Sequence, residues 1–303
     1  MFMAFTPNKL KPDSLVKVGI ANSIIDEYRR IGMTLTLRQL YYQFVARGHI
    51  PNNLQEYKAL GDLISKARLA GLVDWSAIED RTRNVATYDG SDTGPEDAIH
   101  SAASGYRERW WKDQPYHVEV WVEKEALSGV IAPACGRWRL HAFSCRGYVS
   151  QSEQFRAGRR LAHAQDRGQT PLILHLGDHD PSGIDMTRDN LDRLAMFAEM
   201  GVEVRRLALN WDQVKAYNPP PNPAKTTDSR AGSYIKQFGR QSWELDALEP
   251  RVIDKLIDDE VRSVLDEDAW QQSEAHEEEN RETLERIATN YDRVVAFLDD
   301  EGL

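Results

Sequence analysis

The chain has 303 residues, enough for two ordinary domains or one large domain with appendages, and its 41% hydrophobic and 28% charged residues exclude wholesale disorder. No apolar run reaches the roughly 18 residues a membrane-spanning helix needs, and the N-terminus lacks the apolar core of a secretory signal. Two cysteines, Cys135 and Cys145, are too few for a disulfide framework or a thiolate metal site, so a reducing, cytoplasmic setting is expected. The net charge of −10 is unevenly spread. Residues 1–90 hold 12 Lys and Arg against 9 Asp and Glu, a net of +3, whereas residues 244–303 hold 6 against 20, a net of −14. An acidic pI therefore does not exclude nucleic-acid binding, which depends on where basic side chains cluster.

In chain order, residues 14–87 read as helical, broken at Gly32, Gly48, Pro51 and Gly71. Asp13 or Ser14 is expected to cap a first helix with Val16, Ile20, Ile24 and Ile25 at helical spacing. Thr36 is expected to cap a second helix over 37–47, and a third runs over about 53–70. Gly71–Trp75 reads as a short extended stretch. Three short helices and a β-like edge outline a winged-helix-like unit over residues 1–87. Residues 88–116 read as a linker and a packing helix ending in Trp110-Trp111, a pair expected to pack between domains.

Residues 117–243 alternate strand and helix. Strands are expected at 117–122, 139–143, 171–176 and 202–209, with helices at 124–133, 150–167 and from Pro181 to about 199. That alternation predicts a parallel sheet with right-handed crossovers, and hence an α/β fold class. The proline cluster at 219–223 breaks regular structure, and a basic, polar loop is expected to follow. Residues 244–303 read as an acidic helical region with a solvated face.

In an open parallel sheet, ligands gather beyond the carboxyl ends of the strands. Two acidic motifs fall there: Glu123 closes HVEVWV, and Asp178 and Asp180 follow PLILHLG. Asp180 is also placed to cap a helix with Pro181 at its first position. Carboxylate oxygens in this arrangement suit a hard cation such as Mg²⁺, which keeps positions for phosphate oxygens and so suits phosphoryl chemistry.

Val122-Glu123-Lys124-Glu125 after a strand, with Gly-Asp-His-Asp-Pro-Ser-Gly at 177–183, resembles the Toprim domain, above all the form in the A subunit of type IIB DNA topoisomerase (topoisomerase VI) and its meiotic double-strand-break relative. The resemblance implies Mg²⁺ as cofactor, held by Glu123, Asp178 and Asp180. Glu125 and Asp185 are acidic neighbours, Asp185 expected to be solvated. The family carries its DNA-cleaving tyrosine upstream on a winged-helix domain in a segment Arg-x-apolar-Tyr-Tyr. Arg38-Gln39-Leu40-Tyr41-Tyr42 is similar, and the resemblance implies Tyr42 as nucleophile. Arg38, four residues earlier on the same helical face, would favour the phenolate and hold the phosphate. Ser242–Leu248 is similar to the end of the family's Toprim region, so the resemblance spans residues 30–250.

The chain is shorter than a typical A subunit, and neither a Walker-type phosphate loop nor a nucleotide lid is visible. The resemblance implies double-stranded DNA as partner, a homodimer, and a separate GHKL-type ATPase subunit for strand passage. A DNA track is expected from Arg29, Arg30, Arg38, Arg47, Lys58, Lys66, Arg68, Arg81 and Arg83, with Lys225, Arg230, Lys236 and Arg240 after the sheet. Three alternatives stand beside tyrosine-mediated cleavage: a Toprim nuclease using metal-activated water, a non-cleaving DNA-binding protein, and Asp-x-Asp phosphatase chemistry.

Overall fold

The computed structural model describes residues 2–7, 10–79 and 91–302. The protein is a mixed α/β fold, about 60% helical, with a four-stranded parallel sheet flanked by helices. By contact it divides into two compact units. One joins Met1–Asn84 to Val118–Arg262, and the other joins Val85–His117 to Ser263–Leu303. Residues 91–116 thus belong with the C-terminal helices.

The first unit opens with α1 (Pro12–Arg29), α2 (Leu37–Ala46) and α3 (Leu54–Leu69). The cap of α1 is Lys11, with Pro12 at the first helical position, rather than Asp13 or Ser14. Proline is preorganised for that position, so the helix begins there. For α2, Thr36 and Gln39 form the reciprocal capping box: Gln39 N–H donates to Thr36 Oγ1 at 3.2 Å, and Thr36 N–H to Gln39 Oε1 at 2.9 Å. Leu40 and Phe44 are completely buried and Tyr41 and Tyr42 nearly so, which makes α2 the central helix of this core. Each such burial is worth about 1.5–3 kcal/mol. The expected extended stretch at 71–75 is instead a turn: Gly71 has φ +71°, and Asp74 caps a 3₁₀ helix, Trp75–Ala77, by accepting from Ser76 N–H at 2.8 Å. Asp74 also pairs with Arg29 at 3.0 Å, so this side chain holds the turn closed from both sides.

The sheet runs in the order β2–β1–β3–β4, with β1 Tyr116–Val122, β2 His141–Ser144, β3 Thr170–Leu176 and β4 Glu203–Ala208. Its crossovers carry α5 (Ser128–Arg137), α6 (Gln151–Asp166) and α7 (Pro181–Ala198). Leu172, Ile173, Leu174 and Leu176 are all fully buried, as a parallel sheet covered on both faces requires. On one face Trp121 and Ile173 pack with Leu161 of α6 and Leu194 of α7. Buried Glu119 of β1 is neutralised by Arg160 of α6, at 2.7 and 3.0 Å.

After α8 (Trp211–Tyr217) comes the region expected to be loop. It holds α9 (Ala231–Phe238), flanked by a short antiparallel pair, β5 (Asn222–Pro223) with β6 (Gln241–Ser242). Tyr234 anchors this helix where basic residues suggested a loop: its ring is buried and its hydroxyl donates to the His179 carbonyl at 2.9 Å. The last helix of this unit is α10 (Pro250–Val264), tied to α5 by Arg137 with Asp254 and Asp258.

In the second unit, α4 (Pro95–Gly105) packs on α11 (Glu267–Thr289), which leads into α12 (Tyr291–Glu301). The packing helix ends at Gly105, short of the tryptophans. Trp110 and Trp111 lie in the turn beyond it, both against Trp270 of α11, at 4.7 and 5.8 Å between ring centroids. Glu277 on α11 is completely buried, accepting from Trp110 Nε1 and from Glu108 N–H at 2.8 Å each. The acidic region is therefore not all solvated face.

Candidate functional site

Glu123, Asp178 and Asp180 all lie at the carboxyl end of the sheet, on the paired strands β1 and β3 and the turn into α7. Glu123 is pinned by backbone: its N–H donates to the Leu176 carbonyl at 2.8 Å and its carbonyl accepts from Gly147 at 3.2 Å. Its Oε2 accepts from Asp178 N–H at 2.8 Å. Asp178 accepts from Leu245 N–H at 2.9 Å and meets Lys124 Nζ at 2.8 Å. Asp180 caps α7, with Oδ1 accepting from Gly183 N–H at 2.7 Å and from Ser182 Oγ at 2.9 Å. Among the described residues, Glu123 Oε1 and Asp180 Oδ2 accept no hydrogen bond.

Two glycines make this close approach possible. A Cβ at Gly183 would stand 2.2 Å from the Asp178 carbonyl oxygen, and one at Gly177 would stand 2.9 Å from Glu123 Oε2. Beneath them runs Arg206 of β4, whose guanidinium donates to the carbonyls of Gly177 (3.0 Å), Asp178 (2.6 Å) and Gly183 (2.8 Å). Burial lowers the Arg206 pKa to about 10, opposed by the charges of Glu123, Asp178 and Asp180.

Negative charge is crowded here. Burial, then the nearness of Asp178 and Asp180, pushes the Glu123 carboxyl up to about 7. Asp178 is raised too, mainly by burial, against the pull of Lys124. A divalent cation would relieve this crowding, and hard carboxylate oxygens suit magnesium. The chemistry of the donor set fits, although among the described residues no three His, Cys, Asp or Glu side chains already converge on one metal point. Asp178 is turned instead toward the Lys124 ammonium.

Lys124 extends the site. Its ammonium also meets Glu244 at 3.0 Å and Asp246 at 3.2 Å, and Glu244 in turn is paired with Arg38 of α2. Burial works against the Lys124 charge, but Asp178, Asp246 and Glu244 hold its pKa well above the ordinary value. An ion chain thus runs from Asp178 through Lys124 and Glu244 to Arg38. Beside Arg38 lies a cavity of about 210 Å³ lined by Tyr41, Tyr42, Tyr57, Asn52, Asn222 and Glu244. The Arg38 guanidinium sits 5.9 Å from the Tyr42 ring centre. The Tyr42 hydroxyl is not poised as phenolate: burial, then Glu244, raises its pKa, while Arg38 and Asn222 lower it only in part.

The remaining expected residues have varied places. Arg47 pairs with Glu27 at 2.9 Å, and Arg68 stacks on Trp75 at 4.8 Å. Arg230 pairs with Asp228 and Asp185 at 2.8 Å each, so Asp185 is an ion-pair partner and not merely solvated. Arg29 is held by Asp74. Arg30, Lys58, Lys66, Lys225, Lys236 and Arg240 are exposed, and Glu125 pairs with Arg146. Arg81 and Arg83 lie outside the described residues. Arg206, Glu244 and Asp246 had no place among the expected site residues. The similarity of the segment Ser242–Leu248 was the one signal for the two acids, and Arg206 gave none. No protein-family model and no curated protein matches this chain.

Proposed function

We propose that this protein binds double-stranded DNA and cleaves it in a magnesium-dependent reaction, with a winged-helix-like N-terminal part and a Toprim domain similar to those of the topoisomerase VI A subunit. The observation that carries the reading is the ion chain within one unit, from the carboxylates at the strand ends to the cavity beside Tyr42. On this reading Glu123, Asp178 and Asp180 hold the magnesium ion, which when bound neutralises charge developing on the phosphoryl oxygens. The Tyr42 phenolic oxygen gives up its proton and bonds to phosphorus, one phosphoester P–O bond breaks, and the departing sugar oxygen takes up a proton, so that no proton is consumed overall. Arg38 binds the phosphate and lowers the cost of ionising a hydroxyl that burial and Glu244 hold protonated. The same reading implies a second copy of the chain, and a separate GHKL-type ATPase subunit if strands are to be passed.

A Toprim nuclease in which water replaces the tyrosine is favoured by two facts: Tyr42 is only 3% exposed, and its pKa is raised, chiefly by burial. Supercoiled DNA incubated with Mg²⁺ and wild-type or Tyr42→Phe protein separates the two. Tyrosine chemistry gives DNA covalently attached to wild-type protein and none to the variant. Cleavage that persists in Tyr42→Phe without an adduct establishes the nuclease. Binding without cleavage, with any divalent metal, leaves a non-cleaving DNA-binding protein.

A further inference from the structure

We propose that the Glu244 carboxylate occupies an anion seat made to receive a substrate phosphodiester, so that the resting protein carries its own competitor. This rests on the DNA reading above. Three parts of the chain supply the seat: Arg38 from α2, Lys124 from the turn after β1, and Asn222 from β5. Glu244 Oε2 is paired with Arg38 Nη2 and lies 3.0 Å from Lys124 Nζ, while Oε1 accepts from Asn222 Nδ2 at 3.4 Å. The seat opens on the cavity that Tyr42 lines. Arg38 Nε, buried and without a hydrogen bond among the described residues, is ion-paired with Asp246 Oδ2 at 3.3 Å.

Exposure identifies Glu244 as the group that leaves. Two cations, Arg38 and Lys124, face three carboxylates, Glu244, Asp246 and Asp178. Asp246 and Asp178 have side chains 2% and 9% exposed, whereas that of Glu244 is 23% exposed. A phosphodiester carries the same single negative charge as the carboxylate, so exchange leaves the local balance unchanged, and its oxygens match the guanidinium fork. The backbone need not move. Leu245 N–H is held by Asp178 at 2.9 Å and Trp243 N–H by the His179 carbonyl at 3.0 Å, so a side-chain rotation suffices.

The test uses full-length protein in EDTA, with two probes: a fluorescein-labelled 20-base-pair duplex read by anisotropy, and inorganic phosphate read by thermal shift. Glu244→Gln keeps the shape and removes the competing charge. It is expected to bind the duplex about fivefold more tightly than wild type, with a salt dependence steeper by about one counterion, and to gain phosphate stabilisation. Asn222→Asp, which adds a second carboxylate, is expected to weaken both probes, so the proposal stays testable if Glu244→Gln does not fold. Phosphate gained by Glu244→Gln while neither protein binds duplex keeps the seat and removes the DNA reading. Unchanged or weaker binding of both probes by a folded Glu244→Gln overturns the seat, whether or not wild type binds DNA.

Discussion

One substitution, glycine to alanine, should have opposite consequences at three helical positions, because the space a methyl group enters differs. Apart from its own helix backbone and chain neighbours, no atom of the described residues lies within 4 Å of where a Cβ on Gly19 of α1 would stand. There alanine restricts the unfolded chain at no steric cost, and a gain of about 0.5–1 kcal/mol is expected. At Gly158 on α6 the Cβ would lie 2.5 Å from Phe197 Cβ and 2.9 Å from the Phe197 carbonyl carbon. Helices α6 and α7 would have to separate by roughly 1 Å, an overpacking cost of about 1–3 kcal/mol that exceeds the helix-propensity gain. At Gly183 the clash is with the Asp178 carbonyl oxygen at 2.2 Å, an atom Arg206 already grips. Its loss should reach about 3 kcal/mol, and the Asp178 loop must shift. Urea unfolding followed by tryptophan fluorescence gives the three stabilities, and Mg²⁺-induced thermal shift gives the site readout. If the site takes magnesium as proposed, Gly158→Ala should be weakened yet keep a magnesium response, whereas Gly183→Ala should lose both. A Gly183→Ala protein as stable as wild type with an intact magnesium response would refute the claim that this close approach positions Asp178.

Two further outcomes follow from buried carboxyls. Because the folded-state pKa of Glu123 is raised from 4.5 to about 7, the folded protein holds a proton that the unfolded chain releases, so metal-free stability falls as pH rises through that window. Glu123→Gln removes this penalty. Its stability relative to wild type in EDTA should climb by up to about 3 kcal/mol between pH 4.5 and 7 and then level off, a trend urea titrations at several pH values can check; a flat difference would refute it. In the second unit, Glu277→Ala leaves Trp110 Nε1–H, Glu108 N–H and the Arg281 guanidinium without their shared acceptor, and should cost about 3–5 kcal/mol in chemical denaturation. A loss under 1 kcal/mol would show that these donors find other acceptors at little cost.

What the sequence revealed was what short-range chemistry controls. Thr36, and Asp180 with Pro181, mark helix starts because a cap acts on backbone three residues away or fewer. The alternation of apolar runs located the four strands, since a covered parallel sheet needs such runs. Proline at position 12 overrode the capping expectation at Asp13 and Ser14 because its fixed φ sets the helix start. Trp110 and Trp111 were misplaced onto a helix because their partner, Trp270, lies far along the chain. Arg206 was illegible for a related reason. In VEVRRLAL strand alternation puts it on the face of Val202, Val204 and Ala208, but nothing local says that its guanidinium meets the carbonyls of the glycine turn. Lys124, Glu244 and Arg38 come together across more than 200 residues, a separation at which no periodicity speaks.

Asp180 does two jobs with two oxygens: Oδ1 begins α7, and Oδ2 stays without a hydrogen-bond donor among the described residues, its charge felt at Glu123. Asparagine can supply the first oxygen as well as aspartate can. An Asp180→Asn chain would therefore fold, start its helix at the same residue and melt at nearly the same temperature, while lacking one charge of the proposed cation site. Selection for stability alone is blind to that change. Decay of the site can thus leave the fold and the helix start unchanged while altering what the protein binds.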